Sequence, residues 1–124
     1  NMLPALSVGA KGSVGSTFNY AAPLYYELIN AFNTGDLEKA QRLQQQSIDM
    51  IRLLGKYGGI ATGKAYMKLI GLDCGEFRLP VKNMSQTEFE QFKNDTIQIS
   101  FSSFCSSLPQ KTDLSSKIPS AKLK

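Results

Sequence analysis

Residues 12–20, "GSVGSTFNY", decide how this chain is read. Ser13–Thr17 has the character of one β-strand: Val14 is β-branched, and Gly12 and Gly15 flank it. Glycine in such a run marks a bulge or a close approach by another backbone or a ligand. A polar turn, Gly15–Ser16–Thr17, closes it. The difficulty is pairing, because a strand needs neighbours to satisfy its N–H and C=O groups. Everything downstream reads as helix, so the strand asks for partners upstream or on another chain.

Before it, Met2–Val8 is a short apolar segment read as the last turns of a helix, with Gly9 ending it. After it, the period turns helical from Ala21. Pro23 suits a first turn, where its missing N–H costs nothing, and Leu24, Leu28, Ile29 and Phe32 form the expected buried face. Asn33–Thr34–Gly35 stops that helix. Asp36 is the expected N-cap of the next, with Glu38 favourable in its first turn. There Leu37, Ala40, Leu43, Ile48, Ile51, Leu54 and Tyr57 are assigned to the interior, and Gly58–Gly59 ends the run. A third helix is expected over 61–70, with Ala65, Leu69 and Ile70 inside and Gly71 as terminator. Arg78–Leu79–Pro80 reads as extended. Ser85–Gln86–Thr87–Glu88 has the S-x-x-E form of a capping box and opens a fourth helix carrying Phe89, Phe92 and Ile97.

The chain has 124 residues, enough for one domain. Its formal charge is +4, but Lys111, Lys117, Lys122 and Lys124 all lie in the last sixteen residues. Without them the rest is nearly neutral, so the basicity belongs to a tail and no nucleic-acid partner is expected. Position 1 is Asn, and the chain is read as beginning mid-sequence. It has two cysteines, Cys74 and Cys105, and no histidine. They make no zinc site; they read as reduced thiols of a cytoplasmic protein, with a single disulfide left open. Without histidine, Ser-His or Cys-His chemistry has no base here. No apolar run approaches the roughly 20 residues of a membrane span, so no membrane partner is expected.

Three stretches carry a family resemblance: "VGAKGSVGSTFN" (8–19), "NTGDLEKAQRLQQQSIDMIRLLGKYG" (33–58) and "GKAYMKLIGLDCGEFRLPV" (63–81). Together they resemble the C-terminal part of the N-acetylneuraminate lyases (sialic acid aldolases), within the dihydrodipicolinate synthase superfamily of class I aldolases. The Gly35–Asp36 and Ala40 pattern marks the superfamily. "GSTFN" (15–19) is sharper, since sialic acid lyases carry Gly-Ser-Thr, an aromatic and Asn there. The resemblance covers about residues 1–93, and the sequence beyond Ile99 matches neither pattern.

The resemblance implies a mostly α chain that is the C-terminal fragment of a (β/α)8 TIM barrel plus a C-terminal helical subdomain. Residues 1–20 would hold the end of a barrel helix, the last barrel strand and an active-site turn. Residues 21–99 would hold the C-terminal helices, and 100–124 a disordered tail. It implies a Schiff-base lysine on an earlier strand, a proton-transferring tyrosine, carboxylate-binding threonines, and a Gly-x-Asp-Glu stretch, all upstream of Asn1. Only Gly15 and Ser16 are carried over, as substrate-binding residues at the strand's C-terminal end. No catalytic residue, metal ligand or cofactor is assigned to this chain.

Lys11, at the other end of the strand, is a poor imine candidate. The whole protein would be a homotetramer cleaving N-acetylneuraminate to N-acetylmannosamine and pyruvate. The alternatives are a dihydrodipicolinate synthase-like 2-oxo acid aldolase and a non-catalytic helical interaction module. Of the remaining residues, Lys64 and Lys68 read as a solvated face, and Lys56–Tyr57 as helix-end dipole and packing residues. Tyr25 and Tyr26 are placed either to reach the site opening or to pack half-buried on their helix. The lysine-bearing end is read as a mobile cationic tail.

Overall fold

Local signals for starting and stopping helices are dense in this sequence, and they set the architecture. The computed structural model describes residues 1–107, which form five α-helices: α1 (Met2–Ser7), α2 (Phe18–Asn33), α3 (Leu37–Lys56), α4 (Ile60–Leu69) and α5 (Gln86–Gln98), followed by a 3-10 turn at Phe101–Ser103. The α2–α3 corner shows how closely the chain obeys those signals. Gly35 takes φ +80°, a left-handed conformation that L side chains resist. The Asp36 amide thereby returns to the Ala31 carbonyl at 2.9 Å, closing α2. Asp36 itself caps α3, its carboxylate accepting from the Lys39 amide at 3.0 Å. The α3–α4 corner repeats the closure, Gly59 donating to Leu54 O at 2.7 Å. At α5 the capping box forms as expected, with the Ser85 hydroxyl accepting from Glu88 N and the Glu88 carboxylate accepting from Ser85 N.

The core is aromatic. Tyr66, fully buried on α4, stacks on Tyr20 of α2 at 4.6 Å with an interplanar angle of 11°, and meets Phe92 of α5 edge-on at 4.7 Å. Phe101 packs on Tyr66 at 4.8 Å and on Phe104 at 5.6 Å. Pairs of this kind contribute about 0.5–1.5 kcal/mol each beyond the area they bury. The Tyr66 hydroxyl donates to Met50 O of α3 at 2.9 Å, so α4 is tied to α3 as well as to α2 and α5.

Several expectations are corrected. Ser13–Thr17 is not a strand: residues 10–15 run as irregular chain, Ser16–Thr17 form a turn, and no strand occurs among the described residues. The reason is the one that made the segment problematic, namely that no second extended segment lies beside it to complete a ladder. α2 begins at Phe18 rather than Ala21, with a break at Ala21 (φ −137°, ψ 31°). Pro23 explains the break, because it lacks an N–H and its ring crowds the carbonyl four residues back.

The buried face of α3 is rotated from the expected one. It runs through Ala40, Leu43, Gln44, Ser47, Met50 and Leu53, while Leu37 and Ile51 are exposed. Ile97 is 70% exposed. Leu79–Pro80 forms a turn rather than continuing an extended run. The tail does not begin at Ser100, since Phe101 and Phe104 join the core; two phenylalanines gain more from burial than the intervening serines lose. The rest of the expected tail, 108–124, lies outside the described residues, as does its cationic role.

Candidate functional site

The Gly15–Thr17 turn is built by its own backbone. Gly15 O accepts from Phe18 N at 3.2 Å, Ser16 O from Asn19 N at 3.3 Å, and Thr17 O from Ala21 N at 3.0 Å. The bonds make Gly15–Tyr20 one short helical entry ahead of the Ala21 break. Gly15 packs closely on its neighbour: a Cβ there would stand 3.3 Å from Cζ of Phe18, so the ring would have to give by a few tenths of an ångström. The Phe18 ring is itself fixed edge-on against Tyr25 at 4.5 Å. Gly15 is half-buried and Ser16 exposed, so the turn presents a hydroxyl to solvent from a packed base.

Beneath the turn runs a chain of hydroxyls. Thr17 Oγ1 and Tyr25 OH are 2.8 Å apart, and Tyr25 OH and Ser47 Oγ are 2.9 Å apart. Tyr25 and Ser47 are both buried. The chain links the turn to the middle of α3, and a cavity of about 200 Å³ opens beside it, lined by Asn1, Ser13, Gly15, Thr17, Tyr25 and Ser47 among others. Its polar groups are hydroxyls, amides and backbone, with no carboxylate or amine side chain. Such a surface can orient an oxygen-rich ligand, and among the described residues none of its side chains takes a proton near neutral pH.

Tyr25 was expected either at the opening or half-buried; it is buried, whereas Tyr26 is 75% exposed. Ser47 and Gln44 escaped the sequence reading, although Gln44 lies four residues after Ala40, and Ser47 four after Leu43 and three before Met50, on one helical stripe. Gln44 Oε1 accepts from Leu3 N at 2.8 Å and so supplies a partner for the first turn of α1.

The other candidates are structural. Lys64 donates to the carbonyls of Cys74 and Glu76 at 3.1 and 2.8 Å and lies 4.3 Å above the Phe77 ring, and Lys68 pairs with Asp73 at 3.3 Å. The pair expected as a free solvated face therefore pins the 72–77 loop over α4. Asp95 of α5 accepts from Lys56 Nζ at 2.6 Å and from Tyr57 OH at 2.7 Å. The hydrogen bonds from Lys56 and then Tyr57 hold the Asp95 carboxyl below its ordinary range. Tyr57's hydroxyl is pushed up, chiefly by desolvation and then by its bond to Asp95.

Lys11 is exposed in the 10–15 connection. Cys74 and Cys105 are free thiols. Among the described residues, no cluster of His, Cys, Asp and Glu could hold a metal ion, and no helix is long and apolar enough to cross a membrane.

The sequence profile of the Dihydrodipicolinate synthetase family matches residues 1–99. The chain belongs to that family. Among this member's curated relatives, an N-acetylneuraminate lyase from Lactiplantibacillus plantarum is 40% identical over 82 residues, which is 66% of this chain and 28% of the relative. A 4-hydroxy-tetrahydrodipicolinate synthase from Corynebacterium diphtheriae is 36% identical over 93 residues, 75% of this chain and 31% of the relative.

Among solved structures, Proteus mirabilis N-acetylneuraminate lyase superposes with TM-score 0.77 at 39% identity, covering 81% of this chain and 34% of that one. A dihydrodipicolinate synthase from Bacillus anthracis superposes with TM-score 0.69 at 29% identity, covering 87% and 34%. The chain thus spans about a third of the length of the relatives it matches. Both activities occur among relatives of this one helical segment.

Proposed function

We propose that this family member supplies the C-terminal third of a Schiff-base aldolase that cleaves N-acetylneuraminate to N-acetylmannosamine and pyruvate. In the whole protein, a cytoplasmic homotetramer, residues 13–17 are the last strand of a (β/α)8 barrel. Barrel enzymes bind substrate at the C-terminal ends of their strands, which is where this puts Gly15 and Ser16. The imine-forming lysine lies on an earlier strand and is not among these residues. A protonated imine at the substrate's C2 accepts the electron pair released when the C3–C4 bond breaks. The contribution of this chain is binding: the Gly15 backbone and the Ser16 hydroxyl hold sugar oxygens, and the helices behind them keep the turn in place.

The observation that carries this reading is the Gly15–Ser16–Thr17–Phe18–Asn19 turn, an exposed hydroxyl on a packed base whose neighbouring cavity has no acidic or basic side chain among the described residues. The geometry suits orientation of a polyhydroxylated substrate and does not suit chemistry by this chain alone. Residues 11–14 support the barrel placement, because they make no backbone hydrogen bond among the described residues and Val14 is fully exposed, as a strand without its neighbours would be. The likeness to the Proteus mirabilis lyase, stronger than that to the Bacillus anthracis synthase, favours the sialic acid. The Corynebacterium diphtheriae relative, matched over more of this chain than the lyase from Lactiplantibacillus plantarum, keeps a dihydrodipicolinate synthase-like 2-oxo acid aldolase as the second reading.

The test is borohydride trapping with pyruvate, read by intact mass. It is run on this chain and on a chimera in which this chain replaces the corresponding C-terminal third of the Proteus mirabilis lyase. A pyruvate adduct on the chimera alone, with cleavage of N-acetylneuraminate, supports the proposal. Condensation of pyruvate with aspartate semialdehyde, without sialic acid cleavage, transfers it to the second reading. An adduct on the isolated chain overturns the placement of the lysine, and with it the barrel. Trapping by neither protein makes this a non-catalytic helical module.

A further inference from the structure

The family match ends at Ile99, yet the chain does not leave the fold there. Ser100 adopts a left-handed conformation (φ 55°) and turns the backbone into the Phe101–Ser103 3-10 turn. Phe101 then buries against Tyr20 and Tyr66, and Phe104 buries against Phe101. The strap they anchor ends at the break in α2. Ser106 N donates to Tyr20 O at 2.8 Å, and Ser106 Oγ accepts from Ala22 N at 3.2 Å. Ala22 stands at the start of the helical run that resumes after Ala21, where an amide has no acceptor within its own helix. A serine hydroxyl is the usual solution to that problem, but normally from the adjacent residue. Here it comes from 84 residues away.

We infer that Ser106 is a positioning residue for the Gly15–Ser16–Thr17 turn, and that residues 100–106 are a strap that locks the turn's orientation on α2. Ser106 bonds both sides of the break, Tyr20 before Ala21 and Ala22 after it. The short entry before the break is the turn itself, through Phe18–Gly15, Asn19–Ser16 and Ala21–Thr17. The helix is interrupted at Ala21, so the orientation of the entry and its exposed Ser16 hydroxyl on the main helix depends on the ties that cross the break, of which Ser106 supplies one. The Thr17–Tyr25 bond holds the turn from the other side, so the turn is clamped between α3 through Tyr25 and the strap through Ser106. The consequence for substrate rests on the proposed function; the mechanical coupling does not.

The experiment is residue-resolved amide hydrogen exchange on the full 124-residue chain, for wild type, Ser106→Ala and Ser106→Thr. Ser106→Ala is expected to speed exchange at Ala22, and also at Phe18, Asn19, Tyr20 and Ala21, by tenfold or more. Amides of α5 should stay at wild-type rates, and Ser106→Thr, which keeps the hydroxyl, should restore protection. Faster exchange confined to Ala22, or spread evenly over α2–α5, overturns the inference, because the first means no coupling and the second a general loss of stability. In the chimera, the same alanine variant is expected to raise KM several-fold with kcat unchanged. Loosened turn amides with an unchanged KM would leave the strap's coupling established and remove Gly15 and Ser16 from the substrate site.

Discussion

Replacing Phe101 by alanine separates a solvated tail from a structural one. Phe101 is 4% exposed and meets three aromatic rings, Tyr66 at 4.8 Å, Phe104 at 5.6 Å and Tyr20 at 6.4 Å. Truncating a phenylalanine in such a setting costs about 3–5 kcal/mol, part lost transfer energy and part the cavity left behind. Folded chains of this size have about 5–15 kcal/mol in total, so the loss is a large fraction of the whole. With a urea dependence of about 1.5 kcal/mol per molar, the midpoint of unfolding should fall by about 2–3 M. The measurement is urea unfolding followed by circular dichroism at the helical band. Ile97→Ala serves as the control, since Ile97 is 70% exposed and surface changes stay within about 0.5 kcal/mol. If Phe101→Ala moves the midpoint no further than Ile97→Ala does, residues 100–107 contribute nothing to the fold.

Two further substitutions probe a buried hydroxyl and a partly exposed carboxylate. Tyr20 carries a buried hydroxyl with no hydrogen-bond partner among the described residues, and its ionisation is pushed above the ordinary value, first by desolvation and then by Tyr25. Tyr20→Phe should therefore leave the urea midpoint unchanged or raised, because an unsatisfied buried group is removed; a loss above about 1 kcal/mol would mean the hydroxyl has a partner. Asp95 has a folded-state pKa below its ordinary 3.8, so the folded state releases its proton more readily than the unfolded one. Its stabilisation is fully present above that ordinary value and disappears as pH falls through the lower folded value. Urea midpoints measured from neutral pH down through this range should fall less steeply for Asp95→Asn than for wild type; identical acid limbs would show that the bonds from Lys56 and Tyr57 carry no net stabilisation.

How much of this was readable in the sequence depends on how local each cause is. The Asp36 cap, the Ser85–Glu88 box and the glycine stops at 35, 58–59 and 71 act within a few residues, and the helix ends they set fall where expected. Family membership was equally legible, because "GSTFN" and the Gly35–Asp36 pattern are contiguous. The face of α3 was misjudged because Gln44 and Ser47 are polar, and what makes their burial tolerable is distant: the Leu3 amide for one and the Tyr25 hydroxyl for the other. The hydroxyl chain under the turn was missed for the same reason. Phe101 and Phe104 were lost among serines, since composition alone does not reveal that two rings find a waiting aromatic cluster. The expected strand failed differently, because strand structure is a property of a pair, and one partner cannot display it.

The open connection at residues 10–15 has a consequence for how the chain behaves at high concentration. An unpaired extended segment is a template on which other copies can stack into cross-β fibrils, and such nuclei are typically six or seven consecutive residues of high β-propensity with few glycines and little charge. Here the corresponding run is Ala10–Lys11–Gly12–Ser13–Val14–Gly15, with two glycines, a lysine and one β-branched side chain. The composition that makes it so weak a strand also makes it a poor seed for fibrils. A segment of this kind can stand open in water without recruiting its own copies.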